Sequence, residues 1–191
     1  KVAQQAGLST SIVNFYFKTK EQLLLETLNA VSQEYEAAVD QVFAQSQDPT
    51  RTLRALVDAM LDPVLCTPAR AAVWFAFMGE SQARGDYIGA VRIRELAIRQ
   101  RVETLFTTLF QEAGDTKANL AHAAPLARAF DALIDSVWEQ SMLEPDTIDL
   151  EATRKTCLDY LQSVLPLGLD ISDEPTHDDS ISISEGVGND M

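Results

Sequence analysis

Two groups of residues in this chain have types and spacings that could do chemistry. The first is the segment Val2 to Phe17, V-A-Q-Q-A-G-L-S-T-S-I-V-N-F-Y-F. Ala3 is small enough for two helices to cross closely, and Gly7 can take the left-handed backbone of a tight turn between them. Leu8 and Val13 are apolar where a second helix must pack on the first. Thr10, Ser11 and Asn14 form a polar face left free to meet a major groove, and an asparagine can read adenine through two hydrogen bonds. Helix pairs with a glycine turn also occur in ordinary bundles. The second group is Asp131, Asp135 and Glu139, whose spacing of four makes one row along a helix. Their neighbours Phe130, Leu133, Ile134, Val137 and Trp138 are apolar. Carboxylates beside a buried stripe need partners, and a cationic ligand, Arg128, Arg92, Arg94 or solvent could supply them.

The elements that must position these residues all read as helices. A short helix from Lys1 to Ala6 ends at Gly7, and a second, capped by Ser9 or Thr10, runs to about Phe17. Thr19 can cap a long third helix from Lys20 to about Gln45, with Leu24, Leu28, Val31, Tyr35, Ala38 and Val42 at threes and fours. Ser46-Gln47-Asp48-Pro49 is a turn. Further helices are predicted over about 50–61, 69–82, 86–113, 119–143 and 150–164, punctuated by Pro63, Pro68, Gly85, Gly114, Glu144-Pro145-Asp146 and Pro166. The fold class is all-α. The expected domains are a truncated helix-turn-helix with its linker helix over 1–45, a helical sensing and dimerisation domain over 46–168, and an acidic, disordered tail over 169–191.

Of 191 residues, 46% are hydrophobic, enough to fill a core, and no apolar run is long enough for a transmembrane helix. The net charge of −14 looks wrong for a nucleic-acid binder, but it is unevenly placed. Asp170 to Met191 holds seven acidic residues and no Lys or Arg, whereas the first twenty residues hold Lys1, Lys18 and Lys20 and no acid. Local sign, not the total, governs phosphate binding. Cys66 and Cys157 are too few for a disulfide framework and lie far from His122 and His177, so no metal, cofactor or catalytic Cys/His pair is expected. Reduced thiols fit a cytoplasmic protein. Paired carboxylates could do acid–base work, yet no nucleophile with its base and no phosphate-binding glycine loop is present. A hydrolase is therefore the weaker alternative, beside an adaptor that binds small molecules but not DNA.

The stretch G-L-S-T-S-I-V-N-F-Y-F-K-T-K-E-Q-L-L, Gly7 to Leu24, resembles the signature of TetR-family repressors. The resemblance implies that Ser9, Thr10, Ser11, Asn14 and Phe15 face DNA, that Tyr16, Lys18 and Lys20 lie by phosphates, and that Lys20 is helped by the positive end of the helix it begins. Many members have Tyr at the Asn14 position and His at the Tyr16 position, so operator sequence cannot be borrowed from them. The family's first helix lies before this span, and the chain opens within a helical pattern, so further residues are expected upstream.

More weakly, A-A-V-W-F-A-F-M at 71–78 and A-L-I-D-S-V-W at 132–138 resemble the ligand domain of BetI-type regulators, members that respond to choline. This implies a pocket drawing on Trp74, Phe77, Met78, Asp131, Asp135, Trp138 and Glu139, where aromatic faces and carboxylates hold a quaternary ammonium that has no N–H to donate. Trp74, Phe77 and Met78 also have the spacing of plain core. The family's last two helices pair with their copies, which implies a homodimer joined through Val137, Leu158, Leu161 and Val164. Two recognition helices must in any case reach half-sites about one turn of double-stranded DNA apart. The expected partners are thus a DNA operator, a small-molecule effector and a second copy of the chain, with no membrane.

Overall fold

The computed structural model describes residues 2–81, 85–114, 121–165, 170 and 171, and eight helices lie among them. The head is α1 (Val2–Gln5) and α2 (Thr10–Tyr16), followed by the long α3 (Lys20–Gln45). The body adds α4 (Pro49–Met60), α5 (Pro68–Ser81), α6 (Gly85–Glu112), α7 (Ala123–Leu143) and α8 (Leu150–Val164). The expected helix starts before Ala121, the stop at Pro166, Lys1 and the tail beyond Ile171 lie outside the described residues.

Local chemistry sets the boundaries. Gly7 has φ +66°, with Gly7 N–H donating to Gln4 O and Leu8 N–H to Ala3 O, so the first turn closes through a left-handed residue that only glycine adopts without strain. Ser9 caps α2 by accepting from Ile12 N–H at 3.3 Å, and Thr19 caps α3 by accepting from Gln22 N–H at 3.1 Å. Gln22 reaches back to accept from Lys18 N–H at 2.9 Å, which fixes how the chain enters α3. Asp48 Oδ1 accepts from both Thr50 and Arg51 N–H, at 2.9 and 3.0 Å, with Pro49 in the first turn. Replacing Asp48 by alanine should lower stability by about 1 kcal/mol; a chemical-denaturation midpoint unchanged by the substitution would count against this cap. Pro125 lies in the first turn of α7, where no helical N–H is required.

The core gathers Leu53, Leu56 and Val57 of α4, Val102, Phe106 and Leu109 of α6, and Phe130 and Ile134 of α7. Phe106 and Phe130 meet edge to face with centroids 6.4 Å apart. The third helix contributes as much to the body as to the head: Leu28, Ser32, Val39 and Val42 are buried. Its acidic side is tied to arginines of the body, Glu34 to Arg70 of α5, Glu36 to Arg94 and Asp40 to Arg101 of α6.

Three expectations change here. Val137, Leu158 and Leu161, expected between copies, are 3%, 2% and 1% exposed and belong to the core of one chain, because α7 and α8 turn those stripes inward. Val164 is half-buried. Leu8, expected to pack between the head helices, is 47% exposed and lies in the turn after Gly7, outside both α1 and α2. Ile171, expected in a disordered tail, is buried in the core, and its N–H donates to Gln162 Oε1 at 2.8 Å.

Candidate functional site

In the head, α2 presents Thr10, Ser11, Asn14, Phe15 and Tyr16 to solvent, and Phe15 and Tyr16 are 70% and 66% exposed. Ser9 Oγ and Ser11 Oγ are 2.8 Å apart, joining the cap to the polar face. The Phe15 and Tyr16 rings meet edge to face at 5.3 Å. Lys18 Nζ donates to Phe15 O at 3.0 Å and lies 5.5 Å from the Phe15 ring centre, so this lysine is drawn onto the end of the helix. Lys20, exposed at the first position of α3, keeps its ammonium in solvent beside the helix's free N–H groups. Apolar rings exposed to this degree on a seven-residue helix suit a surface that is covered during function.

The body holds a cavity of about 90 Å³ that opens to solvent, lined from α3, α4, α5, α6 and α7. Of the residues that the resemblance placed in a pocket, Trp74 of α5 and Asp131, Asp135 and Trp138 of α7 line this cavity. Phe77 is instead buried in the body, and Met78 and Glu139 are exposed; none of the three lines the cavity. Glu139 continues the row of Asp131 and Asp135 but sits one turn, about 5–6 Å, further along α7, past the cavity.

Trp138 is fixed by its indole N–H, which donates to Met60 O at 3.0 Å, and by Tyr35, whose ring meets it edge-on at 5.6 Å and 87°. Met60 closes α4, so the indole satisfies a carbonyl that has no partner within its helix. Arg99 Nε is bonded to Asp131 Oδ2 at 2.5 Å. Burial nevertheless lifts the Asp131 carboxyl above the usual range, outweighing the guanidinium's pull. Asp135 is raised too, first by burial and then by Asp131. It stands at the cavity's edge, and among the described residues it has neither hydrogen bond nor ion pair. Glu36 Oε1 lies 3.1 Å from Arg94 Nε without the alignment of a hydrogen bond.

Sequence reading missed Ser32, Tyr35, Glu36, Glu95 and Arg99 as lining residues. Tyr35 was legible only as a member of an apolar stripe; that it brings a hydroxyl into an otherwise aliphatic row was the available signal. Arg99 rather than Arg128, Arg92 or Arg94 is the partner of Asp131. Among the described residues no cluster of His, Cys, Asp and Glu could hold a metal, and no helix is long and apolar enough to cross a membrane.

A short two-helix head on a long helix that also walls a cavity open to solvent is the architecture of all-helical helix-turn-helix transcriptional regulators. Residues 49–166 match the family described as BetI-type transcriptional repressor, C-terminal. The HTH-type transcriptional regulator BetI of Burkholderia mallei (strain NCTC 10229) is 33% identical over 167 residues, covering 86% of this chain and 80% of the relative. Its counterpart in Burkholderia ambifaria (strain MC40-6) is 33% identical over 165 residues, covering 86% and 81%. Two solved structures share the fold. A transcriptional regulator from Pseudomonas aeruginosa PAO1 has TM-score 0.60 and 23% identity, over 85% of this chain and 77% of its own. A TetR-family regulator from Rhodococcus sp. has TM-score 0.61 and 17% identity, over 86% and 85%. The chain belongs to the BetI-type family of TetR transcriptional regulators.

Proposed function

We propose that the protein is a dimeric, ligand-responsive repressor that leaves its operator when a small cation fills the body cavity. One observation carries this: α3 bears the reading helix at its start and walls the cavity with Val31, Ser32, Tyr35 and Glu36 at its middle. Lys20 and Ser32 are separated by roughly 18 Å along the axis at 1.5 Å per residue. A ligand that prefers one setting of α3 over another thereby shifts the spacing of two heads across a dimer. Thr10, Ser11 and Asn14 read bases, Ser9 and Phe15 support that face, and Tyr16, Lys18 and Lys20 approach phosphates. The copies meet through the outer sides of α7 and α8, where Leu143 and Tyr160 are exposed and Val164 is half-buried.

Asp135 supports the choice of a cation. A partly desolvated carboxylate without a partner, beside Trp74, Trp138 and Tyr35, favours a quaternary ammonium or similar ion, whose charge is held by ring faces and by the acid together. The test uses the full-length protein, labelled DNA selected by it from a random pool, and a panel of choline, betaine aldehyde, polyamines and aromatic acids. Retention should fall with salt, cations should release the DNA and raise the melting temperature, and Lys20→Ala should lower the salt slope by about 1 without changing sequence preference. Stabilisation by neutral or anionic compounds alone, or failure to retain any DNA, would overturn the proposal.

A further inference from the structure

The polar groups of the cavity fall into two kinds, those committed within the protein and those left open. Asp131 is held by Arg99, Glu36 lies against Arg94, and the Trp138 N–H is given to Met60. On α3, by contrast, the hydroxyls of Ser32 and Tyr35 have no hydrogen-bond partner among the described residues. A helical hydroxyl commonly returns to the carbonyl one turn back, as Thr27 does to Leu23 O at 2.8 Å. Ser32 does not, although the residue is only 6% exposed. Its oxygen is not sealed within protein either, so it opens on the cavity that Ser32 lines. The Tyr35 ring is held edge-on to Trp138, and burial beside Asp135 and Asp131 keeps its phenol protonated as a donor. Both hydroxyls line the cavity with hydrogen-bonding capacity that no neighbouring group of the protein takes up, so water or a ligand oxygen fills it.

We infer that Ser32 and Tyr35 form an oxygen-binding half of the effector site, which accepts a hydroxyl or carbonyl oxygen of a small molecule whose cationic end lies by Asp135, Trp74 and Trp138. This rests on the cation reading above. The two halves stand on different elements. Asp135 and Trp138 are on α7 and Trp74 on α5, whereas both hydroxyls are on α3, the helix that carries the reading head. A ligand shifts a conformational equilibrium only by contacts that differ between the two states. A cation lacking the oxygen fills the site without a hydrogen bond to α3, so occupancy and release from DNA are separable.

Tetramethylammonium and choline differ by the hydroxyethyl arm and serve as the two probes. Binding of each to the full-length protein is followed by calorimetry, and release of the selected DNA by anisotropy at matched occupancy. Both probes should bind, choline about tenfold more tightly, a difference set by hydrogen bonds to the two hydroxyls, and choline alone should release DNA. Ser32→Ala combined with Tyr35→Phe, which keeps the stacked ring, should bring the two affinities within about threefold, less than one such bond is worth, and abolish release. Release by tetramethylammonium equal to that by choline, or an unchanged preference for choline in the double variant, overturns the inference and leaves the cation site standing. Binding of neither probe removes the cation reading and this inference with it.

Discussion

Trp138→Ala is expected to destabilise the protein by roughly 3–5 kcal/mol, the largest single-residue loss predicted here. Trp138 is 6% exposed and joins three parts of the fold. It belongs to the core through α7, closes the end of α4 by its bond to Met60 O, and buttresses Tyr35 of α3. Alanine would leave a cavity, an unsatisfied carbonyl at the end of α4 and an unsupported tyrosine. Trp138→Phe separates these contributions. It keeps an aromatic ring and loses the N–H donor, so about 1–2 kcal/mol should go, together with part of the attraction for a cation. Denaturant unfolding of both variants gives the comparison. A loss below 1 kcal/mol for the alanine variant would show that the indole does not bind these helices together.

Asp135→Asn should have opposite effects on stability and on ligand binding. The Asp135 carboxyl is raised by burial and by Asp131, with Arg99 the opposing influence, while Glu36, Arg94 and Glu95 complete the charged lining. A carboxyl whose folded pKa lies above its unfolded value is harder to ionise in the folded state. The resulting destabilisation is full above the raised pKa and absent below the ordinary carboxylate range, so wild-type stability falls as pH rises through that interval. The asparagine variant lacks this cost. It should melt at or above the wild-type temperature at neutral pH, and the advantage should vanish as the pH drops below the ordinary aspartate pKa. Its affinity for cations should meanwhile fall roughly 10- to 100-fold, the loss typical of a charge-assisted contact. Wild-type affinity should weaken on acidification as Asp135 takes up a proton. An asparagine variant that is less stable at neutral pH and binds ammonium ions unchanged would place Asp135 in a structural role. Residues kept for binding at a cost in stability are a recurrent property of ligand sites.

Much of the fold was legible because helix ends are written in short-range chemistry. Gly7, Ser9, Thr19, Asp48-Pro49 and Gly114 mark boundaries through turns and caps that depend on a few neighbouring atoms. Spacing put Asp131 and Asp135 in one row, and it was the resemblance to BetI-type ligand domains that joined Trp74 and Trp138 to them. What spacing cannot tell is which element covers a given apolar stripe. Val137, Leu158 and Leu161 read equally well as core or as an interface, and the choice depends on the angle at which α7 and α8 meet the rest of the body. Ser32, Tyr35 and Arg99 were missed for the same reason, since their roles arise only when α3 and α6 cross near α7. Phe77 and Met78 have adjacent positions and opposite fates, one inside and one outside.

Ile171 has a practical bearing on where this protein can be cut. The family match ends at residue 166, five positions before a side chain that is 1% exposed. A shortened version stopping at that boundary would keep every described helix yet lack a plug, leaving an isoleucine-sized hole in the core and removing the N–H that Gln162 Oε1 accepts from Ile171. Trimming the acidic stretch after this anchor, rather than before it, is the safer way to obtain a well-behaved sample.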